Sequence, residues 1–324
     1  MVSSGAIGRR SAYAQADGRS PQAPVPHALT GYDTVLKRVF SLRLNIPKIV
    51  IGMTVVSFAT SAPELIVSVK SALMGHPDLA LGNVVGSNLA NLALVLGIVI
   101  LIEPIIVTKN FFIKDWPIMF LSTVIFYFFI KSNGDLNFNE GLILFFLLII
   151  VLIFLLFIQK NEIMDDGNMF SKVSGKKVII SLFFGGSLAL WLGSEMLIKG
   201  AVSLAQDIGV SERIISISII SIGTSIPELS ASIIAIFKKE KAISLGNLIG
   251  SNIFNILAVM GITAMIQPIV VFDHNLIESD FLWMLFISFL IMPLAFISKR
   301  MRLGRFEGFI LICFYAIFIF QMFK

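Results

Sequence analysis

The sequence predicts an all-α, polytopic membrane protein built from two repeats. Of its 324 residues, 56% are hydrophobic and only 14% are charged, whereas soluble domains average about 45–50% apolar and 25% charged residues. Apolar runs of about 20 residues, the length that crosses a hydrocarbon core, recur between short polar breaks. Because lipid cannot hydrogen-bond unpaired backbone groups, these runs should be helices.

The apolar runs define nine predicted spanning helices and leave a polar segment before the first. The helices are expected at about residues 46–73, 79–102, 115–131, 139–159, 177–205, 210–237, 242–266, 279–298 and 305–323. Residues 1–32 contain no apolar stretch of the roughly 17 residues that a span requires. Their content of Ala, Ser, Pro, Gln and Arg predicts a disordered tail.

Two motifs occur twice, which indicates an internal repeat. The segment Ala59–Glu64 (ATSAPE) is matched 164 residues later by Gly223–Glu228 (GTSIPE). At the same offset, Gly82–Asn88 (GNVVGSN) is matched by Gly246–Asn252 (GNLIGSN). The sequence therefore predicts two copies of one helical unit.

The repeats suggest how the chain is divided. We expect a first repeat at 33–159, a connecting loop at 160–176 and a second repeat at 177–324. The second repeat has a helix, at 177–205, ahead of its first motif. At the corresponding place the first repeat has only residues 33–45, and the sequence preceding them is polar. The first helix of the first repeat is therefore expected to be missing or vestigial.

Lysine and arginine residues in the loops predict how the repeats are oriented. Loops at one end of the predicted helices, including the connecting loop, carry 17 of these residues, and the loops and C-terminus at the other end carry five. Basic residues favour the cytoplasmic side, so the connecting loop should be cytoplasmic. An odd number of helices separates equivalent points of the two units, which predicts inverted-topology repeats like those of many secondary transporters.

Each first motif places one glutamate deep in an apolar run. A carboxylate at the bilayer centre costs at least about 2.5–3.5 kcal/mol, so Glu64 and Glu228 should face a cavity, a partner or an ion. The adjacent Pro63 and Pro227 lack an amide hydrogen and therefore free carbonyl oxygens about one turn upstream. Carboxylates, hydroxyls and carbonyls together are ligands for a hard cation such as calcium.

The second motif supplies further oxygen ligands. Ser87 and Asn91 are four residues apart and share one helix face, as do Ser251 and Asn255. The glycines of the same motif form small-xxx-small patterns, which predict close helix packing. A structural ion pair is the alternative explanation for the two glutamates, but no lysine or arginine lies at a comparable depth in the predicted helices.

At these residues the sequence resembles the cation/calcium exchanger superfamily, and in particular bacterial sodium/calcium exchanger-like antiporters. The resemblance covers residues 46–323 and rests on two long motifs that each occur twice. It implies a ten-helix bundle with the cation site at the midplane. Some members have an aspartate where this chain has Asn255.

The resemblance also implies a ligand set. Glu64 and Glu228, with the carbonyls of Thr60 and Thr224, would hold calcium. Sodium would be held by the hydroxyls of four serines, by nearby asparagine side chains and by two further carbonyls, which correspond here to Ser61, Ser87, Ser225, Ser251, Asn91, Asn255, Ser57 and Ser221.

These observations predict a secondary active antiporter that exchanges calcium for sodium. A calcium/proton exchanger and a potassium-dependent exchanger stay open as alternatives. From another class, the chain could be a cation channel or a truncated membrane protein that does not transport. We expect no enzymatic activity, no cofactor and no nucleic-acid partner; the expected partners are the lipid bilayer and the transported calcium and sodium ions, in the inner membrane of a bacterium.

Overall fold

The computed structural model describes residues 48–158, 176–297 and 301–323, and these residues are almost entirely helical. The predicted all-α membrane fold is confirmed. The described residues form ten helices: α1 Lys48–Thr60, α2 Ala62–Leu73, α3 Pro77–Ile102, α4 Phe111–Asn133, α5 Phe138–Leu156, α6 Lys176–Ile208, α7 Glu212–Phe237, α8 Lys241–Ile266, α9 Leu276–Phe296 and α10 Arg305–Met322.

The helices reproduce the nine predicted apolar runs. Their ends differ from the predicted ends by four residues or fewer. Seven of the helices are long and apolar enough to cross a membrane, and the bent pair α1 and α2 raises this number to eight. The predicted tail at 1–32, the shortened first helix at 33–45 and residues 160–175 of the connecting loop lie outside the described residues.

The first predicted run is divided in the structure into α1 and α2, which meet at 44°. Ser61 at the junction has φ −82° and ψ 4°, so it leaves the helical conformation. Pro63 follows in the first turn of α2 and cannot donate an amide hydrogen bond to the preceding turn. Ser225 and Pro227 repeat this arrangement inside α7 with φ −83° and ψ 0° at the serine, although α7 stays a single span.

The two halves share local features at equivalent positions. A π-helical turn at Gly52–Val56 is repeated at Ser216–Ile220, and another at Ala90–Val95 is repeated at Asn255–Met260. Four two-residue strands add a second sign of symmetry: β1 Ile105–Ile106, β2 Asp135–Leu136, β3 Ile269–Val270 and β4 Arg302–Leu303. β1 pairs with β4 and β2 with β3, both antiparallel, so each pairing joins one repeat to the other.

The glycines of the second motif bring helices from different repeats into close contact, as their spacing predicts. A Cβ atom added to Gly246 would lie 2.3 Å from the carbonyl oxygen of Ile49 in α1, and one added to Gly250 would lie 2.5 Å from the Cα of Met53. In the other half, a Cβ on Gly86 would lie 2.8 Å from the Cα of Ile217 in α7. α8 therefore packs on α1, and α3 packs on α7.

Burial identifies α3 and α8 as the centre of the bundle. In their most apolar stretches 78% and 83% of the residues are buried, compared with 22–44% in the other full spans. α6 packs through a separate apolar cluster, in which Ile198, Ala201 and Ala205 contact α2, α3 and α7. The helices that carry the two glutamates lie against these two buried helices: α2 with Glu64 contacts α3, and α7 with Glu228 contacts α8.

Candidate cation-binding site

Two carboxyl groups lie inside the bundle without a hydrogen-bond donor. Glu64 is in the first turn of α2, and Glu228 is in the first turn of the helical segment Ile226–Phe237, which is the second part of α7. Both residues are 0% exposed, and none of their four carboxylate oxygens has a hydrogen-bond partner among the described residues. The positive end of each helical segment favours an anion at this position, but it does not replace a donor or a counter-charge.

The buried side chains of Arg213, Asp280 and Asp78 contrast with these glutamates because protein groups satisfy their charges. Arg213 and Asp280 form a two-contact ion pair. Asp78 accepts backbone hydrogen bonds at 2.9 Å from both Phe272 and Asp273. The unsatisfied carboxylates therefore mark a place where the molecule leaves negative charge to be neutralised by something else.

Hydroxyl groups face both carboxylates. The Thr224 side chain faces Glu64, and the side chains of Thr60, Ser61 and Ser251 face Glu228, without hydrogen-bond geometry to the carboxylate oxygens. Ser61 and its equivalent Ser225 are 3% and 2% exposed, and neither hydroxyl has a hydrogen-bond partner among the described residues.

The two half-sites are joined across the repeats. The hydroxyl oxygens of Thr60 in α1 and Ser251 in α8 lie 3.3 Å apart, and those of Ser87 in α3 and Thr224 in α7 lie 3.1 Å apart. Groups predicted from sequence on four separate runs are thus brought together in one region. In the described part of the chain, no group of three or more His, Cys, Asp and Glu side chains is arranged to hold a metal ion. The charged groups of this region are the two glutamates, with the hydroxyl oxygens of Thr224, Thr60, Ser61 and Ser251 facing them.

The two predicted asparagines differ from each other. Asn91 is 0% exposed, and neither atom of its amide has a partner within the described ranges. Asn255 is also fully buried, but it donates a hydrogen bond of 3.1 Å to Oδ1 of Asn88 while its own Oδ1 stays unpaired. The two repeats therefore differ at this position: Asn255 is fixed by a hydrogen bond to Asn88, whereas the Asn91 amide makes no hydrogen bond to the described residues.

Ser57 and Ser221, predicted through their carbonyl groups, lie one turn before the threonines. The Ser57 carbonyl accepts hydrogen bonds from the Ser61 amide at 2.9 Å and the Thr60 hydroxyl at 3.3 Å. The Ser221 carbonyl accepts equivalent bonds from Ser225 and Thr224, at 3.0 and 3.2 Å. An ion at either carbonyl would compete with these hydrogen bonds.

Two further asparagines, not among the residues predicted from sequence, lie between the predicted ligands. Asn83 and Asn247, the asparagines that follow the first glycine of each second motif, are buried and contact both a glutamate-bearing segment and a threonine. Their spacing of four residues from Ser87 and Ser251 could have placed them on the ligand face of α3 and α8.

The family described as sodium/calcium exchanger protein matches residues 35–157 and 178–324, which is most of the chain and includes both copies of each motif. The chain belongs to the sodium/calcium exchanger family. This is a family of transporters, and membership accounts for the repeated motifs and for the polytopic helical fold.

Individual relatives of this exchanger agree with the family match. CaxA of Alkalimonas amylolytica, which is assigned as an antiporter, is 35% identical over 83% of this chain and 86% of its own length. The inner membrane protein YrbG of Escherichia coli is 34% identical over 72% and 73%. A solved structure of the sodium-calcium exchanger NCX_Mj, soaked with sodium and calcium, shares the fold with a TM-score of 0.65 and 27% identity, covering 91% of this chain and 94% of that one.

Proposed function

We propose that this exchanger carries calcium in one direction and sodium in the other through the region between Glu64 and Glu228. The observation that carries the proposal is the pair of fully buried carboxylates whose oxygens have no donor and no cationic side chain among the described residues. Two unpaired charges in a dry interior are costly, and bound cations remove that cost. One calcium ion or two sodium ions balance two carboxylates.

The surrounding atoms favour a hard cation over a transition metal. The side chains of Thr224, Thr60, Ser61 and Ser251, which face the carboxylates, carry hydroxyl oxygens, and calcium prefers oxygen ligands. We assign Glu64 and Glu228 as the charged ligands and the neutral oxygens of the predicted set as the remaining ones. These are contributed by Thr60, Thr224, Ser61, Ser225, Ser87, Ser251, Asn91, Asn255, Ser57 and Ser221. The sodium and calcium used with NCX_Mj support the choice of ions.

Exchange follows from the sharing of one site. If both cations need the same two carboxylates, they cannot be bound together, and each must leave before the other enters. Rocking of one part of an inverted-repeat bundle against the other would then expose the site to the two sides in turn. We assign residues 33–159 and 177–324 as the two repeats of the transport unit, joined by residues 160–176. We also assign the chain to a bacterial inner membrane, because its relative YrbG is named as an inner membrane protein.

A proton is the second candidate counter-ion. A protonated carboxylic acid is neutral and occupies a buried site without a metal ion, and the free oxygens of Glu64 and Glu228 could each accept one. Potassium could take part in addition to sodium through the same oxygen ligands.

The test is calcium uptake into proteoliposomes that contain the purified chain. An outward sodium gradient should drive uptake, whereas an outward proton gradient alone or potassium alone should not. Glu64→Gln and Glu228→Gln should each abolish uptake, and Glu278→Gln, which alters an exposed glutamate of α9, should retain it. Uptake that needs no counter-ion gradient and persists in both glutamine variants would reject exchange at this site.

A further inference from the structure

Asn83 and Asn247 each connect the two repeats at the candidate site. Asn83 lies in α3, and its Nδ2 donates to the carbonyl oxygen of Glu64 at 3.4 Å and to Oγ of Ser68 at 3.0 Å, both on α2 of the same repeat. Its Oδ1 accepts a hydrogen bond of 3.1 Å from Thr224, which belongs to the other repeat.

Asn247 makes the equivalent set of contacts in the other half. Its Nδ2 donates to the carbonyl oxygen of Glu228 at 3.4 Å and to Oγ of Ser232 at 3.2 Å. Its Oδ1 accepts from Thr60 at 3.3 Å. Because the same three contacts occur twice, 164 residues apart, they are a property of the motif and not of one local environment.

The partners of each asparagine fix the direction of the hydroxyl protons. The Thr224 hydroxyl has one proton, and two of its three hydrogen-bond partners, Asn83 Oδ1 and the Ser221 carbonyl, can only accept. The third partner, Ser87, must therefore donate its own proton to Thr224. Both hydroxyl protons are then used in hydrogen bonds to protein groups, which leaves the two lone pairs of the Ser87 oxygen and one lone pair of the Thr224 oxygen available to a cation.

The same proton order applies to the second half-site. Thr60 donates to Asn247 Oδ1 or to the Ser57 carbonyl, both of which can only accept. Ser251 must then donate to Thr60. This order accounts for the hydroxyls of Thr224, Thr60 and Ser251, which face the carboxylates of Glu64 and Glu228 without donating to them.

We propose that Asn83 and Asn247 are positioning residues of the cation site: each ties the glutamate-bearing segment of its own repeat to the threonine of the other repeat and keeps the hydroxyl lone pairs directed at the cation. The inference rests on the proposed function. Neither asparagine is assigned as a ligand, because their side-chain atoms are already committed to protein groups.

The test is a double-mutant cycle on calcium binding, measured by isothermal titration calorimetry on the purified full chain. Asn83→Ala and Thr224→Val, which keeps the Thr224 backbone carbonyl, should each raise the calcium Kd by about tenfold, the effect of one lost hydrogen bond of about 1.4 kcal/mol. Because Asn83 acts through Thr224, the double variant should be far less impaired than the product of the two changes.

A crossed pair gives the matched comparison. Asn83 does not contact Thr60, so Asn83→Ala combined with Thr60→Val should raise the Kd by the full product of the single effects. For Asn247→Ala the pattern should be reversed: the full product with Thr224→Val, and less than the product with Thr60→Val, because Thr60 is its partner. Thr123→Val removes a buried hydroxyl whose one hydrogen bond within the described residues is to the Met119 carbonyl of its own helix, and it should leave the Kd unchanged. A merely structural role would lower thermal stability without this pair-specific pattern.

The outcomes separate the inference from the proposed function. Unmodified protein that binds no calcium would reject both. Calcium binding that depends on Glu64 and Glu228, but with effects that multiply equally in contacting and crossed pairs, would overturn the inference alone. If Asn83→Ala does not purify as a folded protein, Thr224→Ser, which keeps the hydroxyl, should bind calcium more tightly than Thr224→Val, which loses it; equal affinity of these two variants would also overturn the inference.

Discussion

Arg213 and Asp280 form a buried ion pair that joins the start of α7 to the start of α9. The distances are 2.5 Å from Nε to Oδ2 and 2.9 Å from the terminal guanidinium nitrogen to Oδ1. Asp280 is 0% exposed, so removal of its partner would leave an uncompensated charge inside the protein. The Asp280 charge is thus neutralised by a protein side chain, whereas the carboxylates of Glu64 and Glu228 have no such partner among the described residues.

We expect Arg213→Met to lower the free energy of unfolding by about 3–5 kcal/mol, as is typical when one partner of a buried pair is removed. Lys48→Met is the control, because Lys48 pairs with Glu240 at 3.1 Å where both side chains are partly exposed. Its loss should cost at most about 1 kcal/mol. Unfolding of both variants in detergent measures the difference, and equal losses would contradict the assigned burial.

Gly250→Ala is expected to destabilise the bundle. The added Cβ would lie 2.5 Å from the Cα of Met53, and backbone cannot move aside as a flexible side chain can. Overpacking of this kind costs about 1–3 kcal/mol.

Gly200→Ala is the matched control for the glycine change. Gly200 lies in the last third of α6, and no atom of the described residues would lie within 4 Å of its added Cβ. Replacing glycine by alanine within an exposed helix should leave stability unchanged or raise it by up to about 1 kcal/mol. Thermal unfolding midpoints that fall equally in both variants would show that α8 does not pack on α1 through Gly250.

Asn255→Asp should change the number of sodium ions that compete with one calcium ion. The substitution adds a third carboxylate near two that already lack counter-charges, so one more monovalent cation is needed for neutrality. We expect the dependence of the apparent calcium Kd on sodium concentration to rise from about the second power toward the third.

The control for this change is Asn255→Leu, which also loses the hydrogen bond to Asn88 but adds no charge. It should keep the second-power dependence whatever its affinity. Titrations of calcium at several sodium concentrations measure the exponent, and an unchanged exponent in Asn255→Asp would mean that position 255 lies outside the site.

Much of this architecture could be predicted from sequence because its signals are local or repeated. The apolar runs gave helix ends close to the observed ones, and the repeated proline beside each glutamate marked the interruption of both spans. The same proline motif bends the first run by 44° but leaves α7 one span. That difference depends on the packing around each motif, which the motif itself does not encode.

Contacts between residues far apart in the chain could not be predicted from the sequence. Arg213 lies among basic residues that indicate orientation, and its partner Asp280 follows 67 residues later. Asn83 has a recognisable helix face, but its partner Thr224 belongs to the other repeat, 141 residues away. The first pair forms only when α7 packs on α9, and the second only when α3 packs on α7.

The most direct test of the central claim is calcium binding to the purified chain as a function of sodium. We predict one calcium per chain, an apparent Kd that rises with about the square of the sodium concentration, and loss of binding in Glu64→Gln and in Glu228→Gln, because two carboxylates neutralise one calcium or two sodium ions. Calcium binding that sodium does not displace, or that survives in both glutamine variants, would contradict the account.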